Sequence, residues 1–275
     1  MTHTPLTGAA RPAPGRTAVV IPAAGRGVRL GPGTPKALRP LGGVPMLVHA
    51  VRAMARSTSV GPIVVVAPAD DVPGVRSLLD GHPLPDRVTL RVVPGGGTRQ
   101  ESVRLGLAAI GDPDVDVVLV HDAARPLVPV DTVETVVAAV RAGAPAVVPA
   151  LPVTDTVKQV APPAAPAADG VDTVGGTAPA AEPVVATPAR ALLRAVQTPQ
   201  GFDRSVLVAA HEAGSAATDE ANGGEGATDC AALVERRGVP VVLVRGHEEA
   251  FKVTRPLDLL LAEAVLARRS VADGW

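Results

Sequence analysis

The residues of this chain best suited to chemistry sit in short stretches of small residues that carry isolated charges. The first runs Ile21-Pro22-Ala23-Ala24-Gly25-Arg26-Gly27-Val28-Arg29-Leu30 and continues through Gly31, Gly33, Thr34 and Pro35 to Lys36. Side chains as small as those of Ala23, Ala24, Gly25 and Gly27 let backbone N–H groups approach a triphosphate, and Arg29 and Lys36 supply the opposing charge. The spacing matches neither the dinucleotide fingerprint G-x-G-x-x-G nor the P-loop G-x-x-x-x-G-K-[ST]. A glycine-rich turn with two solvated cations is the bland alternative; two cations this close to the glycines favour phosphate binding.

A second stretch, Gly95-Gly96-Gly97-Thr98-Arg99-Gln100-Glu101-Ser102-Val103, leads into a helical pattern. Consecutive glycines admit a base or ribose against the main chain, and Ser102, one turn in, can hydrogen-bond it. A flexible turn followed by a helical serine explains the same residues. The third, His121-Asp122-Ala123-Ala124-Arg125-Pro126, follows an aliphatic run. A carboxylate such as Asp122 at a strand's end is placed to bind magnesium in phosphoryl chemistry, and Arg125 can clamp a second phosphate bidentately. A cap or an ion pair with Arg125 is the alternative for Asp122, and His121 reads as a packed or backbone-bonded imidazole. Val153 to Lys158, Gln197 to Phe202 and Lys252 to Asp258 read individually as an edge strand, a turn and a helix start.

A frame must bring these stretches together. β-Branched runs at Thr17 to Pro22, Ile63 to Ala67, Val88 to Val93, Val115 to His121, Ala146 to Leu151 and Val239 to Val244 alternate with helical patterns. The helices are expected at Met46 to Arg56, Thr98 to Ile110, Asp131 to Arg141, Asp203 to Ala213, Asp229 to Arg237 and Pro256 to Arg269. Thr98 with Glu101 makes a capping box, Asp131 and Asp203 suit N-caps, and Pro256 suits a first helical position. Strands of continuous Val and Ile belong in a parallel sheet covered on both faces, so the pattern predicts a doubly wound, mostly parallel, Rossmann-like α/β fold. Ligands in such folds sit at the carboxyl ends of the strands, where the three stretches fall.

Composition narrows the functions further. With no Tyr, two Phe and one Trp in 275 residues, the chain lacks the aromatic platforms that single-stranded nucleic-acid binding needs. Its 26 basic and 27 acidic residues leave no footprint for a polyanion or a membrane surface. No apolar run is long enough to span a bilayer. The single cysteine, Cys230, suits a reducing cytoplasmic setting and excludes an all-cysteine metal site. Residues 1–16 read as a disordered lead-in with no apolar signal-peptide core, and residues 17–270 as one domain. The Ala, Pro and Gly-rich stretch Ala161 to Pro188 breaks the pattern and reads as a projecting insertion; Gly214 to Ala227 reads as a loop.

In order and spacing, PAAGRGVRL with PKALRPLGG, GGGTRQESV, HDAARP, PVTDTVK, TPQGF and KVTRPLDL resemble the 2-C-methyl-D-erythritol 4-phosphate cytidylyltransferases, from about Thr17 to Arg268. The resemblance implies a nucleotidyltransferase-type sheet with a projecting β-arm over residues 152–197, and attack of a methylerythritol 4-phosphate oxygen on the α-phosphorus of CTP, with magnesium. It implies a CTP cradle of Ala23, Ala24 and Gly25, catalytic cations Arg29, Lys36 and Lys252, and a base and ribose site at Gly96 and Ser102. Asp122 is then the magnesium and ribose contact. Asp122, Arg125, Thr156, Arg190, Thr198 and Lys252 form the sugar-phosphate site, with some groups supplied by the partner's arm in an arm-exchanged homodimer.

Some positions depart from the family pattern. Val28 replaces a common second arginine, Gly97 stands where an acid is often found, and Ala250 where Asn is common. The family's T-D-E-A motif falls at Thr218 to Ala221 or at Thr228 to Ala231; distance to the next strand favours the latter, with Cys230 in place of the acid. A ribitol 5-phosphate cytidylyltransferase would share the CTP half, and a non-catalytic nucleotide-binding protein would share the fold.

Overall fold

The computed structural model describes residues 17–25, 35–161, 181–216 and 229–272. The chain divides into two compact units, Met1–Ala150 with Val196–Trp275, and Leu151–Ala195.

In the first unit the apolar runs form strands as their composition requires. Thr17–Pro22 (β1) is followed by the small hairpin Pro40–Leu41 (β2) and Val44–Pro45 (β3), the helix Met46–Ala55 (α1), and the strand Val60–Ala67 (β4). Next come Val72–Asp80 (α2), Thr89–Pro94 (β5), Arg99–Ala108 (α3), Val117–Val120 (β6), Val130–Arg141 (α4) and Ala146–Pro152 (β7), whose last residues enter the second unit. The second unit holds the paired strands Gln159–Val160 (β8) and Val184–Ala186 (β9), and Arg194–Val196 (β10) begins in it and ends on the first residue of the returning chain. The chain then completes the first unit with Gln200–Asp203 (β11), Arg204–Ala216 (α5), Cys230–Glu235 (α6), Val242–Arg245 (β12) and Pro256–Ala272 (α7).

The sheet of the first unit runs β7-β11-β6-β1-β4-β5, with β12 also paired to β7. β1 is central and parallel to both β4 and β6. Its side chains alternate between two cores: Val19 and Ile21 join the cluster that α1 and α4 cover, and Ala18 and Val20 join the one under α3, α5 and α6. β4 and β6 split in the same way, Ile63, Val65 and Leu119 going to one face and Val64, Val66 and Val118 to the other. Period-two alternation therefore builds both faces of a doubly wound sheet from uniformly apolar strands.

The sequence reading misses three features. β11 runs antiparallel to β6 and β7, with Gly201 facing Leu119 on one side and Val147 on the other; the stretch TPQGF had been read as a turn. α2 carries Pro73 and Gly74, whose turn-forming character hides a helix whose Val75 and Leu79 are buried. Asp131 lies in the first turn of α4 rather than at its cap, which is Pro129. Thr98 does cap α3, accepting from the Glu101 N–H at 3.1 Å, and Asp229 caps α6 through the Ala232 N–H at 2.8 Å. Gly214 to Ala216 continue α5, while residues 217–228 lie outside the described residues, as do the 1–16 lead-in and residues 162–180 of the insertion. In the second unit, β8 and β9 pair antiparallel, and Val160, Val184 and Val185 are exposed.

Candidate active site

A cavity of about 340 Å³ opens where β1 and β6 end and α3 begins, lined by Ala23 to Gly25, Lys36, Gly96 to Arg99, Ser102, Asp122 to Ala124 and Lys252. Every lining residue belongs to the first unit. The parallel strands aim their carboxyl ends at one edge, and the loops that follow them meet there. The expected residues Ala23, Ala24, Gly25, Lys36, Gly96, Ser102, Asp122 and Lys252 thus meet around one space. Arg29 lies outside the described residues.

Main-chain hydrogen bonds limit what each loop can offer. The Ala23 N–H donates to the Val66 carbonyl at 2.8 Å and extends the sheet, so a phosphate cradle here falls to the N–H groups of Ala24 and Gly25. In the glycine loop, Gly95 N–H donates to Ala67 O at 2.8 Å, Gly96 N–H to Ser102 Oγ at 3.2 Å, and Gly97 N–H to Glu101 Oε2 at 2.8 Å. The glycines also make room for protein atoms: a Cβ on Gly95 would fall 2.5 Å from Ala24 Cβ, and one on Gly96 would fall 2.2 Å from the Glu101 side chain. Around Gly97 the nearest such atom is 3.7 Å away.

Asp122 sits between two cations, with Lys252 Nζ 2.8 Å from Oδ2 and Arg99 Nη2 3.2 Å from Oδ1. Burial favours the neutral acid, but the Arg99 and Lys252 charges outweigh it and hold the carboxyl well below the usual carboxylate range. Asp122 is thus an anion at any working pH. Arg99 also donates to the Cys230 sulfur, at 3.7 Å. That thiol is buried, and burial pushes its pKa up to about 11, which disfavours the thiolate.

Two expected ligand residues are engaged by the protein itself. Arg125 Nη1 donates to Ala250 O at 2.6 Å and Nη2 to Val196 O at 3.2 Å. Thr198 is buried, and its hydroxyl meets both the Asp122 N–H and the His121 ring. Neither lines the cavity. Thr156 and Arg190 belong to the second unit, where Arg190 Nη1 donates to Thr154 O at 2.6 Å. Arg99 is the residue that the sequence reading passed over, although a cation two positions after three glycines was the available signal.

Among the described residues no three His, Cys, Asp or Glu side chains cluster as a metal cage. One ionised carboxylate, paired with Lys252 and Arg99, suits a hard cation that arrives with phosphates, because magnesium is commonly held by one or two carboxylates plus substrate oxygens. No helix among the described residues is long and apolar enough to cross a membrane.

Residues 17–268 match the protein family described as 2-C-methyl-D-erythritol 4-phosphate cytidylyltransferase. The chain is 64% identical over 267 residues to the protein of that name from Streptomyces coelicolor, covering 95% of this chain and 89% of the relative. It is 51% identical over 258 residues to the one from Frankia casuarinae, covering 94% and 84%. The crystal structure of the Thermus thermophilus enzyme superposes with a TM-score of 0.63 at 34% identity, over 90% of this chain and 97% of that one. The 4-diphosphocytidyl-2C-methyl-D-erythritol synthase of Anaerococcus prevotii gives 0.70 at 27% identity, over 91% and 96%.

Proposed function

The chain belongs to the 2-C-methyl-D-erythritol 4-phosphate cytidylyltransferase family, and we propose that its cavity transfers the cytidylyl group of CTP to 2-C-methyl-D-erythritol 4-phosphate. An oxygen of the acceptor phosphate forms a bond to the α-phosphorus, the bond from that phosphorus to the β-phosphate bridging oxygen breaks, and pyrophosphate leaves. The products are pyrophosphate and 4-diphosphocytidyl-2-C-methyl-D-erythritol. No side chain becomes covalently attached, so the work of the protein is positioning and charge stabilisation.

The observation that carries this reading is the meeting of Lys36, Lys252, Asp122 and the glycine loop around one cavity at the strand ends. Ala24 and Gly25 offer N–H groups to the triphosphate, while Lys36 and Arg29 balance the charge that grows on the leaving pyrophosphate. Lys252 serves the α-phosphate and the incoming phosphate. The N–H groups of Gly95, Gly96 and Gly97 already donate to Ala67 O, Ser102 and Glu101, so base selection would fall to the loop's carbonyl oxygens, acceptors that suit the exocyclic amino group of cytosine and not the carbonyl of uracil. Asp122 would hold magnesium together with the CTP phosphates, and the ion would screen charge between the two anionic substrates.

Acceptor binding extends the site to the arm. A two-stranded pair such as β8 and β9 is marginal alone in water, and its exposed valines suit an exchange of arms between two copies. The arm of a second copy would then supply Thr156 and Arg190 to the sugar phosphate, with Arg125 and Thr198 nearby in the sequence motifs that flank the site. The balanced charge and scarce aromatics fit small-molecule substrates in the cytoplasm, without nucleic acid or membrane.

Magnesium-dependent pyrophosphate release, measured with CTP and either methylerythritol 4-phosphate or ribitol 5-phosphate, tests the assignment. Release with the first acceptor and CTP, but not UTP or ATP, is expected. Preference for ribitol 5-phosphate would overturn the acceptor, and silence with both would overturn turnover itself.

A further inference from the structure

Two cations of unequal freedom hold Asp122. Lys252 Nζ lies 2.8 Å from Oδ2 and Arg99 Nη2 3.2 Å from Oδ1, so each carboxylate oxygen has its own partner. Lys252 stands in the connection between Ala250 and α7, outside any helix or strand. Arg99 is the first residue of α3. That helix start is fixed by its cap, where Thr98 Oγ1 accepts the Glu101 N–H at 3.1 Å and Thr98 O accepts the Ser102 N–H at 3.0 Å. The next turns pack on the sheet, with Val103 and Leu107 buried in the core.

The Arg99 guanidinium is also held at a second point. Nη1 meets Cys230 Sγ at 3.7 Å while Nη2 meets Asp122, and Cys230 is buried as the first residue of α6. A planar guanidinium gripped at both arms of its fork keeps one orientation, whereas an ammonium on a four-carbon stem swings about a single contact. In the reaction proposed above Lys252 serves the α-phosphate and the incoming phosphate, and in doing so it gives up Oδ2. A carboxylate held by that lysine alone would turn with it. Held by Arg99 at Oδ1, it stays in place and leaves Oδ2 for the magnesium that accompanies CTP.

We propose that Arg99 is a positioning residue for cytidylyl transfer, fixing the Asp122 carboxylate through Oδ1 while Lys252 exchanges that carboxylate for substrate phosphate. The proposal rests on the reaction assigned above. Arg99 borders the cavity, yet it acts on the nucleotide through Asp122.

Calorimetric titration of the full chain with CTP in the presence of magnesium tests this without turnover. Arg99→Met removes the fork and its charge, Arg99→Lys keeps the charge alone, and Asp122→Asn removes the group to be positioned. Arg99→Met should weaken CTP binding about tenfold or more and lower kcat about tenfold or more. Placed on Asp122→Asn, the same change should alter CTP binding by less than about threefold, because the two residues act as one unit. A loss of similar size in both backgrounds would make Arg99 a direct ligand of CTP and overturn the positioning role. Unaltered CTP binding in Arg99→Met would overturn it as well. Arg99→Lys should recover only part of the loss, and full recovery would show that charge suffices without the two-point grip. A parent that binds CTP but releases no pyrophosphate with either acceptor would overturn the assigned reaction, while the binding cycle still judges Arg99; a parent that does not bind CTP would overturn both.

Discussion

Lys36 and Arg29 differ in what the fold shows of them, since Lys36 lines the cavity and Arg29 lies outside the described residues. Their assigned work is the same, to oppose charge that develops as pyrophosphate departs. Removing one preorganised donor to such charge costs about 3 to 4 kcal/mol of transition-state stabilisation, so Lys36→Ala and Arg29→Ala should each lower kcat about a hundredfold or more with the fold intact. Unimpaired turnover in either variant, measured by pyrophosphate release, would remove that residue from the mechanism. At this scale the sequence was informative about which side chains meet: Lys36, Asp122 and Lys252, singled out by type and position, line one cavity. It does not show that Arg125 and Thr198, whose types suit a phosphate, also bond to Ala250 O, Val196 O and the His121 ring. Composition cannot show such engagement, because it depends on backbone atoms that distant segments bring up.

Among the elements, α3 packs unusually close to the sheet, and one residue makes this possible. A Cβ on Gly106 would lie 2.5 Å from Val20 Cγ1 and 2.9 Å from Val66 Cγ2, both on fully buried strand residues. Alanine would gain about 1 kcal/mol of helix propensity over glycine, but overpacking a buried contact costs about 1 to 3 kcal/mol. With methyl groups of two central strands as the obstacle, the clash should win. Urea unfolding of Gly106→Ala should show a lower midpoint, and an equal or higher one would mean that α3 can lift off without loss. The long apolar strands and amphipathic helices were legible because burial on both faces leaves a composition that turns do not share. α2 was not, because Pro73 and Gly74 imitate a loop, nor was β11, whose four residues Gln200–Asp203 are too few for any periodicity. Its antiparallel place follows from the chain returning between β6 and β7, a fact of topology and not of local sequence.

For the whole molecule, buried imidazoles should weaken the fold in acid, His121 and His211 most of all. His121 and His211 are almost fully buried, and burial lowers each to about 4, with Arg99 and Arg104 adding to the effect at His211. Neither His211 ring nitrogen finds a hydrogen-bond partner among the described residues. In the unfolded chain both rings titrate near about 6.5. Between that value and about 4 the unfolded state binds more protons, so stability falls as pH drops through the window and is unaffected above it. The size is on the order of 3 kcal/mol per ring. Asp122, whose pKa is depressed, adds a further loss only at lower pH, once the unfolded carboxylate protonates. Replacing His211 by leucine removes one titration and puts an apolar side chain at a buried position of α5. The stability of His211→Leu relative to the parent should therefore improve by about 1 to 3 kcal/mol on going from pH 8 to pH 5, read from urea midpoints. A difference equal at the two pH values would show that the ring at 211 is not held neutral, and the acid sensitivity would then have to come from His121, His49 and the carboxylates.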